Sequence, residues 1–340
     1  MSYLLLLCSV LVLTSCERIF DTEGDCTVRL HFEYTKNLKW ADAFANEVKS
    51  VRVYAFDSRG VLVREFAERG THLSEPGYNM VLSLPDGHYH LVGWCGIDNP
   101  DAPGEQFAVP ETKAGVTTLE ELTCRLHRYS DETYSAVSDS RLEFMFHGEL
   151  EEIEIGGGTY DYTMSLTKDT NHIRVILQHL SGEDLDVSQF GFRIEDANGY
   201  YARDNTLLDD DIITYKAYGT SEGEAGIVRD DGVDSRAMVY SKTAVADLSL
   251  GRMMADRKKS MILTITNGEG KDIARIPVID YVLLAKDYYE MAYNHRMSDQ
   301  DFLDREDEYM LTLFIDKDME WYSAEIYILS WRIVLRDYEI

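Results

Sequence analysis

The sequence has few of the features that mark the common enzyme classes. It has no H-E-x-x-H zinc helix, no G-x-x-x-x-G-K-[ST] phosphate loop and no G-x-G-x-x-G dinucleotide fingerprint, and we predict no G-x-S-x-G nucleophile elbow. With 61 acidic residues in the chain, no pair of carboxylates can be singled out as a glycosidase pair. We therefore expect no enzyme, no catalytic or cofactor-binding residues and no cofactor.

Basic residues are also scarce. The chain has 33 Lys and Arg against 61 Asp and Glu, and its formal net charge is -28. The first fifteen residues contain neither a basic nor an acidic side chain, so this charge belongs to the remaining 325 residues. Because affinity for nucleic acids and for anionic membrane surfaces depends on Lys and Arg, the composition argues against both kinds of partner.

The apolar run at the start of the chain is short. Residues 4–13, LLLLCSVLVL, carry no charge and are followed by the small residues Thr14 and Ser15. A membrane-spanning helix needs about 20 apolar residues, whereas the apolar region of a secretory signal needs about half that number. Residues 1–15 therefore predict a signal peptide that is cut between Ser15 and Cys16.

The letters LTSC at residues 13–16 resemble the bacterial lipobox. In that motif the cysteine is acylated on sulfur and becomes the first residue of the mature lipoprotein, so the resemblance implies that Cys16 is the lipid attachment site. Residues 16–26 would then be a lipidated tether, acidic between residues 21 and 25. The plain alternative is a secreted protein with a chance cysteine near its cleavage site.

Five cysteines occur in the chain. Once Cys8 leaves with the signal peptide and Cys16 is lipidated, the candidate disulfide partners are Cys26, Cys95 and Cys124. Three is an odd number, so at most one internal disulfide is expected. Burial of all three as small apolar side chains is equally consistent with the sequence, and none has the spacing of a zinc ligand.

Alternation of apolar and polar residues predicts many short strands. The stretch TVRLHFEY at residues 27–34 alternates strictly, and residues 49–66 repeat the pattern on both sides of a turn. Residues 78–96 read as a hairpin that turns at Pro85, Asp86 and Gly87, and residues 260–279 as one that turns at Asn267 and Gly268. Residues 280–295 fit helical spacing better than strand spacing.

This pattern predicts an all-β fold. Short strands separated by turn signals favour antiparallel sandwiches, and the lack of repeating strand–helix units argues against a Rossmann fold or an α/β barrel. The triple glycine at residues 156–158 is the expected hinge, because glycine keeps the most backbone freedom. We therefore predict two tandem sandwiches, residues 27–155 and 159–340, with one short helical stretch in the second. The alternative is that the three glycines form a tight loop within a single sandwich.

Two groups of residues are weighed as binding sites. His88 and His90 would share one face of a strand and could approach a metal ion, but no third ligand is identifiable, so we expect no metal site and two solvent-facing histidines. The tryptophans could form a sugar-stacking platform if exposed, yet three of the four lie in strand-like contexts, so core packing is favoured. They are Trp40, Trp94, Trp321 and Trp331.

Longer blocks of the chain resemble the FimB/Mfa2 family of fimbrial anchor subunits from Bacteroidales. The resemblance lies in residues 32–60, 77–96, 165–182, 190–205 and 299–316, beginning FEYTKNLKW, GYNMVLSLP, SLTKDTNHI, FGFRIEDAN and DQDFLDRED, and in LSWRIVL at 329–335. The segment CERIFDTEGDC similarly resembles the lipidated N-terminus of the family.

This resemblance implies a structural outer-membrane lipoprotein that anchors a fimbrium to the cell surface and helps control its assembly and length. It implies two transthyretin-like sandwich domains, stalk subunits as partners through β-strand addition, and a lipid-anchored position facing the outside. The alternative is a surface glycan-binding lipoprotein, which would share the anchor and the sandwich fold but would bind oligosaccharides through exposed tryptophans.

Overall fold

The computed structural model describes residues 26–98, 105–229, 237–316, 321–328 and 331–335. The described residues form mainly strands, so the expected all-β fold is confirmed. The α-helices described are α1 (Phe44–Glu47), α2 (Val278–Tyr293) and α3 (Asp299–Leu303). The strands described are β1 (Cys26–Glu33), β2 (Ser50–Asp57), β3 (Leu62–Arg69), β4 (Met80–Leu84), β5 (Gly87–Cys95), β6 (Phe107–Ala108), β7 (Thr123–Leu126), β8 (Val137–Ser138), β9 (Phe146–Ile155), β10 (Thr159–Ser165), β11 (Thr167–Lys168), β12 (Thr170–His179), β13 (Gly191–Asp196), β14 (Tyr200–Ala202), β15 (Ile213–Lys216), β16 (Gly219–Arg229), β17 (Ala237–Gly251), β18 (Ile262–Thr266), β19 (Asp272–Pro277), β20 (Glu308–Ile315), β21 (Trp321–Ile328) and β22 (Trp331–Leu335).

The first sandwich packs a three-stranded sheet, β10-β1-β4, against a five-stranded sheet, β11-β9-β5-β2-β3. Its core follows the alternation seen in the sequence: Val28, Leu30 and Phe32 point inward from β1. Strand β5 is buried on both faces, since Leu91 belongs to this core whereas Trp94 belongs to the second core. The five-stranded sheet therefore separates two apolar cores.

The second sandwich packs a six-stranded sheet, β16-β17-β12-β20-β21-β22, against a five-stranded sheet, β19-β18-β13-β15-β8. Strands β12 and β20 pair in parallel, and residues such as Ile173 and Leu311 enter the core between the sheets. Helix α2 follows β19 and buries Ile279, Val282 and Tyr289, which confirms the helix predicted over residues 280–295. Among the described residues, no helix has the length and apolarity needed to cross a bilayer.

The strands do not pair within the two predicted domain ranges, 27–155 and 159–340. Residues 156–158 form the turn between β9 and β10, and β10 pairs in parallel with β1 of the first sandwich. Conversely, β7 pairs with β14 and β8 pairs with β15, so parts of residues 107–138 join strands from the second half. The glycines therefore close a turn within the first sandwich, because the chain returns to complete its sheets before it continues.

The hairpin predicted over residues 78–96 is wrong in its pairing. Both strands exist, but β4 pairs with β1 while β5 pairs with β2 and β9. The turn at Pro85, Asp86 and Gly87 therefore carries the chain from one sheet of the sandwich to the other. A turn sequence determines a local reversal, whereas burial of the apolar face of β4 against the opposite sheet determines its pairing partner. By contrast, β18 and β19 pair as the predicted hairpin around Asn267 and Gly268.

Candidate functional site

The loop between β1 and α1 is shaped by one buried asparagine. The Asn37 Nδ2 atom donates hydrogen bonds to the carbonyl oxygens of Tyr34 (2.9 Å) and Ala41 (2.7 Å), and its Oδ1 atom accepts from the backbone N–H of Lys39 (3.0 Å). This tight loop places Trp40 in the left-handed backbone region, with φ at +53°. A bulky residue rarely adopts this conformation, so the surrounding contacts must hold it there.

Three side chains hold the Trp40 ring, which remains 46% exposed. Its Nε1 atom donates a 2.6 Å hydrogen bond to the hydroxyl of Tyr289 on α2. The guanidinium of Arg305 lies 4.1 Å from the centre of the ring, and the imidazole of His295 packs edge-on with ring centres 4.7 Å apart. Tyr293 is half exposed, and its ring packs against Tyr289 with ring centres 4.5 Å apart and a tilt of 31° between the planes. We name Trp40, Tyr289, Tyr293 and His295 the aromatic rim.

A buried polar network joins the two halves of the chain beneath this rim. The Asp304 carboxylate accepts hydrogen bonds from Arg252 (2.8 and 2.9 Å), Lys36 (2.7 Å) and Gln300 (2.8 Å). Burial alone would raise the pKa of Asp304, but the ion pairs with Arg252 and Lys36 hold it below its ordinary value. The carboxylate therefore stays charged and ties the loop after β1 to α3 and to the end of β17.

A second buried cation lies beside this network. The Lys168 Nζ atom is 2.5 Å from a Glu47 carboxylate oxygen and 2.6 Å from an Asp307 oxygen, and its side chain is 3% exposed. It also lies 3.8 Å from the centre of the Phe144 ring. Two carboxylates and an aromatic face replace the water that this ammonium group loses on burial.

Two nearby acids are buried, Glu306 and Asp169, and the Oδ1 atom of Asp169 lies 3.7 Å from Arg252 Nε. Burial raises the pKa of Glu306 to about 8, and burial raises the pKa of Asp169 to about 7 although Arg252 opposes that change. The Glu306 carboxyl accepts a 3.0 Å hydrogen bond from the backbone N–H of Glu308. Raised pKa values of this kind mark the low-polarity interior at the junction of the two halves.

A groove of about 830 Å³ opens beside the aromatic rim. The loop of residues 37–47, together with α1, forms one wall, and the outer face of the six-stranded sheet forms the floor. The floor carries His172 and Arg174 of β12, Asp247 of β17 and Met310 of β20. Arg174 Nε donates to Asp247 Oδ1 at 2.7 Å, so this floor presents a paired guanidinium and carboxylate.

The sheet edges differ in how well they are protected against strand pairing. Strand β3 carries Arg64, Glu65 and Glu68 at the edge of its sheet, and charges of this kind discourage pairing with other chains. Strand β22 ends the six-stranded sheet, and within the described residues no further strand pairs with its outer side. Its sequence, WRIVL, holds a single charge and favours the extended conformation. The edge of β22 is therefore the less protected surface.

The cysteines and the signal cleavage site were also predicted from the sequence. Cys95 and Cys124 are free thiols buried in different cores, which is the second of the two outcomes that the sequence left open for them. Burial raises the pKa of Cys95 to about 12. Ser15 and Cys16 lie outside the described residues, as does the side chain of Cys26.

The histidine pair does not converge on a metal site. His90 Nε2 lies 2.5 Å from a Glu149 carboxylate oxygen, and His88 is exposed. Within the part of the chain that the structure describes, no three His, Cys, Asp or Glu side chains cluster as metal ligands.

The predicted absence of a G-x-S-x-G pattern was wrong, because residues 219–223, GTSEG, match it. These residues lie in β16, an extended edge strand, whereas a nucleophile elbow requires a sharp turn from a strand into a helix. The match therefore carries no nucleophile role.

Trp94 and Trp40 differ in burial, which distinguishes core packing from an exposed binding position. Trp94 is fully buried, as core packing predicts, whereas Trp40 is exposed at the rim. The signal in the sequence that could have distinguished Trp40 is its position in a polar loop, KNLKWAD, outside any alternating stretch. Trp321 and Trp331 lie in β21 and β22, and their side chains are outside the described set.

The described residues thus form two sandwiches, a sheet edge at β22 that no other described strand pairs with, and an aromatic rim held by side-chain contacts. The model of the family of fimbrillin-A associated anchor proteins Mfa1 and Mfa2 matches residues 22–337, and the chain belongs to this family. The minor fimbrium anchoring subunit Mfa2 of Porphyromonas gingivalis is 25% identical over 224 residues. The matched part is 64% of this chain and 64% of that relative, so it spans less than two thirds of the relative's length.

Solved structures carry the same fold. The fimbrial anchor protein Mfa2 from Porphyromonas gingivalis superposes with a TM-score of 0.62 at 17% identity, covering 91% of this chain and 98% of that one. A Bacteroides thetaiotaomicron VPI-5482 protein of the DUF1812 group, described as a candidate polysaccharide-binding protein, superposes with a TM-score of 0.75 at 28% identity. That match covers 92% of this chain and 99% of the other.

Proposed function

We propose that this chain is a structural outer-membrane lipoprotein that anchors a fimbrium to the cell surface and helps control its assembly and length. The observation that carries the proposal is the match of the anchor-family model across residues 22–337. The role is structural and not catalytic. In it, the two sandwiches form a rigid base held together by the buried Asp304 network.

The membrane attachment in this proposal is the acylated Cys16. Residues 1–15 act as the signal peptide, Cys16 becomes the mature N-terminus, and residues 16–26 tether the sandwiches outside the cell. Each buried CH₂ of an acyl chain contributes about 0.8 kcal/mol, so two or three chains hold a protein far more firmly than one.

The proposed partner is a fimbrial stalk subunit that adds an extended strand to the outer edge of β22. Main-chain hydrogen bonds of the added strand would supply affinity, and pockets for alternate side chains would supply specificity. The edge of β22 fits this role because it lacks the charges that protect β3.

The decisive experiment compares cells that carry wild-type protein, Cys16→Ala and Cys8→Ala. We expect Cys16→Ala to leave the outer-membrane fraction, and fimbriae seen by electron microscopy to be shed or abnormally long, because the base is no longer held. Cys8 lies in the predicted signal peptide, so Cys8→Ala is the matched control and should behave as wild type. Unchanged fimbriae in the Cys16→Ala cells would contradict the anchoring role.

A second candidate function is glycan binding at the cell surface. It is favoured by the 46% exposure of Trp40 and its fixed orientation. The similar Bacteroides thetaiotaomicron protein is itself described as a candidate polysaccharide binder.

A further inference from the structure

The aromatic rim adjoins the groove, although none of its four residues lines it. Arg305 joins them: its guanidinium lies under the Trp40 ring, and the same side chain lines the groove. Leu38 and Lys39, which precede Trp40 in the loop, also line the groove. A ligand that contacts the exposed part of Trp40 would therefore reach the groove past the Arg305 side chain.

The charges lining the groove nearly cancel. Five Lys or Arg side chains and six Asp or Glu side chains line it, and one of those acids, Glu306, has its pKa raised to about 8 by burial. Glu306 is therefore largely uncharged at neutral pH, which leaves five charges of each sign. Such a lining offers many hydrogen-bond donors and acceptors but no net attraction for an ion.

We propose that the aromatic rim and this groove together bind a neutral oligosaccharide, with one sugar ring stacked on Trp40 and its neighbours hydrogen-bonded along the sheet. The proposal deepens the second candidate function and does not depend on the anchoring role. A sugar has an apolar C–H face that suits an indole ring, and hydroxyl groups that both donate and accept. Arg174 and Asp247 on the floor provide a donor and an acceptor side by side.

The site is preorganised, which favours binding because less conformational freedom is lost. The Leu38 backbone N–H donates to the Arg305 carbonyl oxygen at 3.1 Å, and the Tyr289 hydroxyl donates to the Leu38 carbonyl oxygen at 3.2 Å. Arg305 is itself held by Asp301, 3.1 Å from both carboxylate oxygens. The strained backbone at Trp40 is thus fixed from both sides, and strain of this kind is typical of ligand-binding sites.

The test is isothermal titration calorimetry of the purified chain with maltohexaose, cellohexaose and xylohexaose, with hexagalacturonic acid as the charged comparison. We expect at least one neutral sugar to bind, and Trp40→Ala to weaken that binding by about tenfold or more, since the stacking surface is lost. Arg174→Gln should also weaken binding. Tyr240→Ala is the matched control, because Tyr240 is an exposed aromatic residue that does not line the groove, and it should bind as wild type does.

Trp40→Gly provides a second variant with a backbone suited to φ of +53°, should Trp40→Ala fail to fold. The proposal is overturned if no neutral sugar binds, if only hexagalacturonic acid binds, or if the folded Trp40 variants bind as tightly as wild type. Fimbrial length and attachment in Trp40→Ala cells should remain normal. Loss of anchoring by Trp40→Ala, without sugar binding to the wild-type chain, would instead identify the rim as a protein interface and overturn the proposal.

Discussion

The buried residue Glu306 makes the stability of the folded protein depend on pH. Its side chain is 5% exposed, and burial raises its pKa to about 8 from an ordinary value near 4.5. The native state therefore keeps a proton that the unfolded state has already lost, so stability from this group is present below pH 4.5 and declines as pH rises towards 8. His147 and His172, with pKa values lowered to about 4 by burial, act in the opposite sense only below about pH 6.5.

We therefore predict that the free energy of unfolding falls between pH 7 and pH 8, where Glu306 contributes most and Asp169, with its pKa raised to about 7, contributes less. The fall expected from Glu306 is about 1 kcal/mol per pH unit, and Glu306→Gln should remove that part because the amide stays neutral. Urea unfolding at several pH values measures this slope. Glu269→Gln changes an exposed glutamate far from the junction and serves as the control, which should keep the wild-type slope. A Glu306→Gln slope equal to that of wild type would contradict the assignment.

At the scale of elements, the sheet edges decide where other chains can attach. The outer side of β22 is unpaired within the described residues, while β3 is charged and partly covered by the Thr117 carbonyl, which accepts from the Leu62 backbone N–H at 2.8 Å. Along an edge strand, successive N–H groups point alternately to the neighbouring strand and to solvent. Proline is therefore tolerated at alternate positions, where its missing N–H would have faced solvent.

This alternation gives a test of strand addition with the neighbouring variants Arg332→Pro and Ile333→Pro. One of the two removes a hydrogen bond to β21 and should lower the melting temperature, while the other should fold normally. We expect the folded variant to lose binding of the stalk subunit in a pull-down, because its outer edge can no longer pair. Phe66→Pro, on the edge strand β3, should leave binding unchanged if it folds. Wild-type binding by both β22 variants would exclude this edge.

At the scale of the whole molecule, the two halves of the chain are joined by strand pairing as well as by the polar junction. Strand β10 pairs with β1, and β7 and β8 pair with β14 and β15. Cutting the chain at residues 156–158 leaves all of these ladders in place. We therefore propose that the sequence 27–155 is not a separate folding unit.

A protease site inserted at residues 156–158 tests this proposal. We expect the two fragments of the cleaved protein to co-elute in size-exclusion chromatography and to unfold in one transition, because each fragment completes sheets of the other. The control has the same protease site in the loop of residues 267–270, within the β18–β19 hairpin. Cleavage there cuts the chain inside a predicted domain and not at the predicted boundary. Elution of separate, folded fragments after cleavage at 156–158 would instead support the boundary predicted from the sequence.

The local sequence pattern was sufficient to predict individual strands and helix α2, but not which strands pair with each other. The alternation of Val28, Leu30 and Phe32 predicted β1, and helical spacing predicted α2, because side-chain period follows directly from backbone geometry. The parallel partner of β1 was not predictable, since β10 lies more than a hundred residues away and pairing depends on which apolar faces meet. The short helices α1 and α3 are too brief to show a period.

The sequence by itself determined the acidic charge, the all-β class, the short apolar start and, through long blocks of resemblance, the family. These properties are local or additive, so they can be read along the chain. Only the tertiary structure decided that Trp40 is exposed while Trp94 is buried, and that Arg305 stacks beneath Trp40. Both outcomes depend on contacts between segments far apart in the sequence, where burial and hydrogen bonding are settled by packing and not by the local pattern.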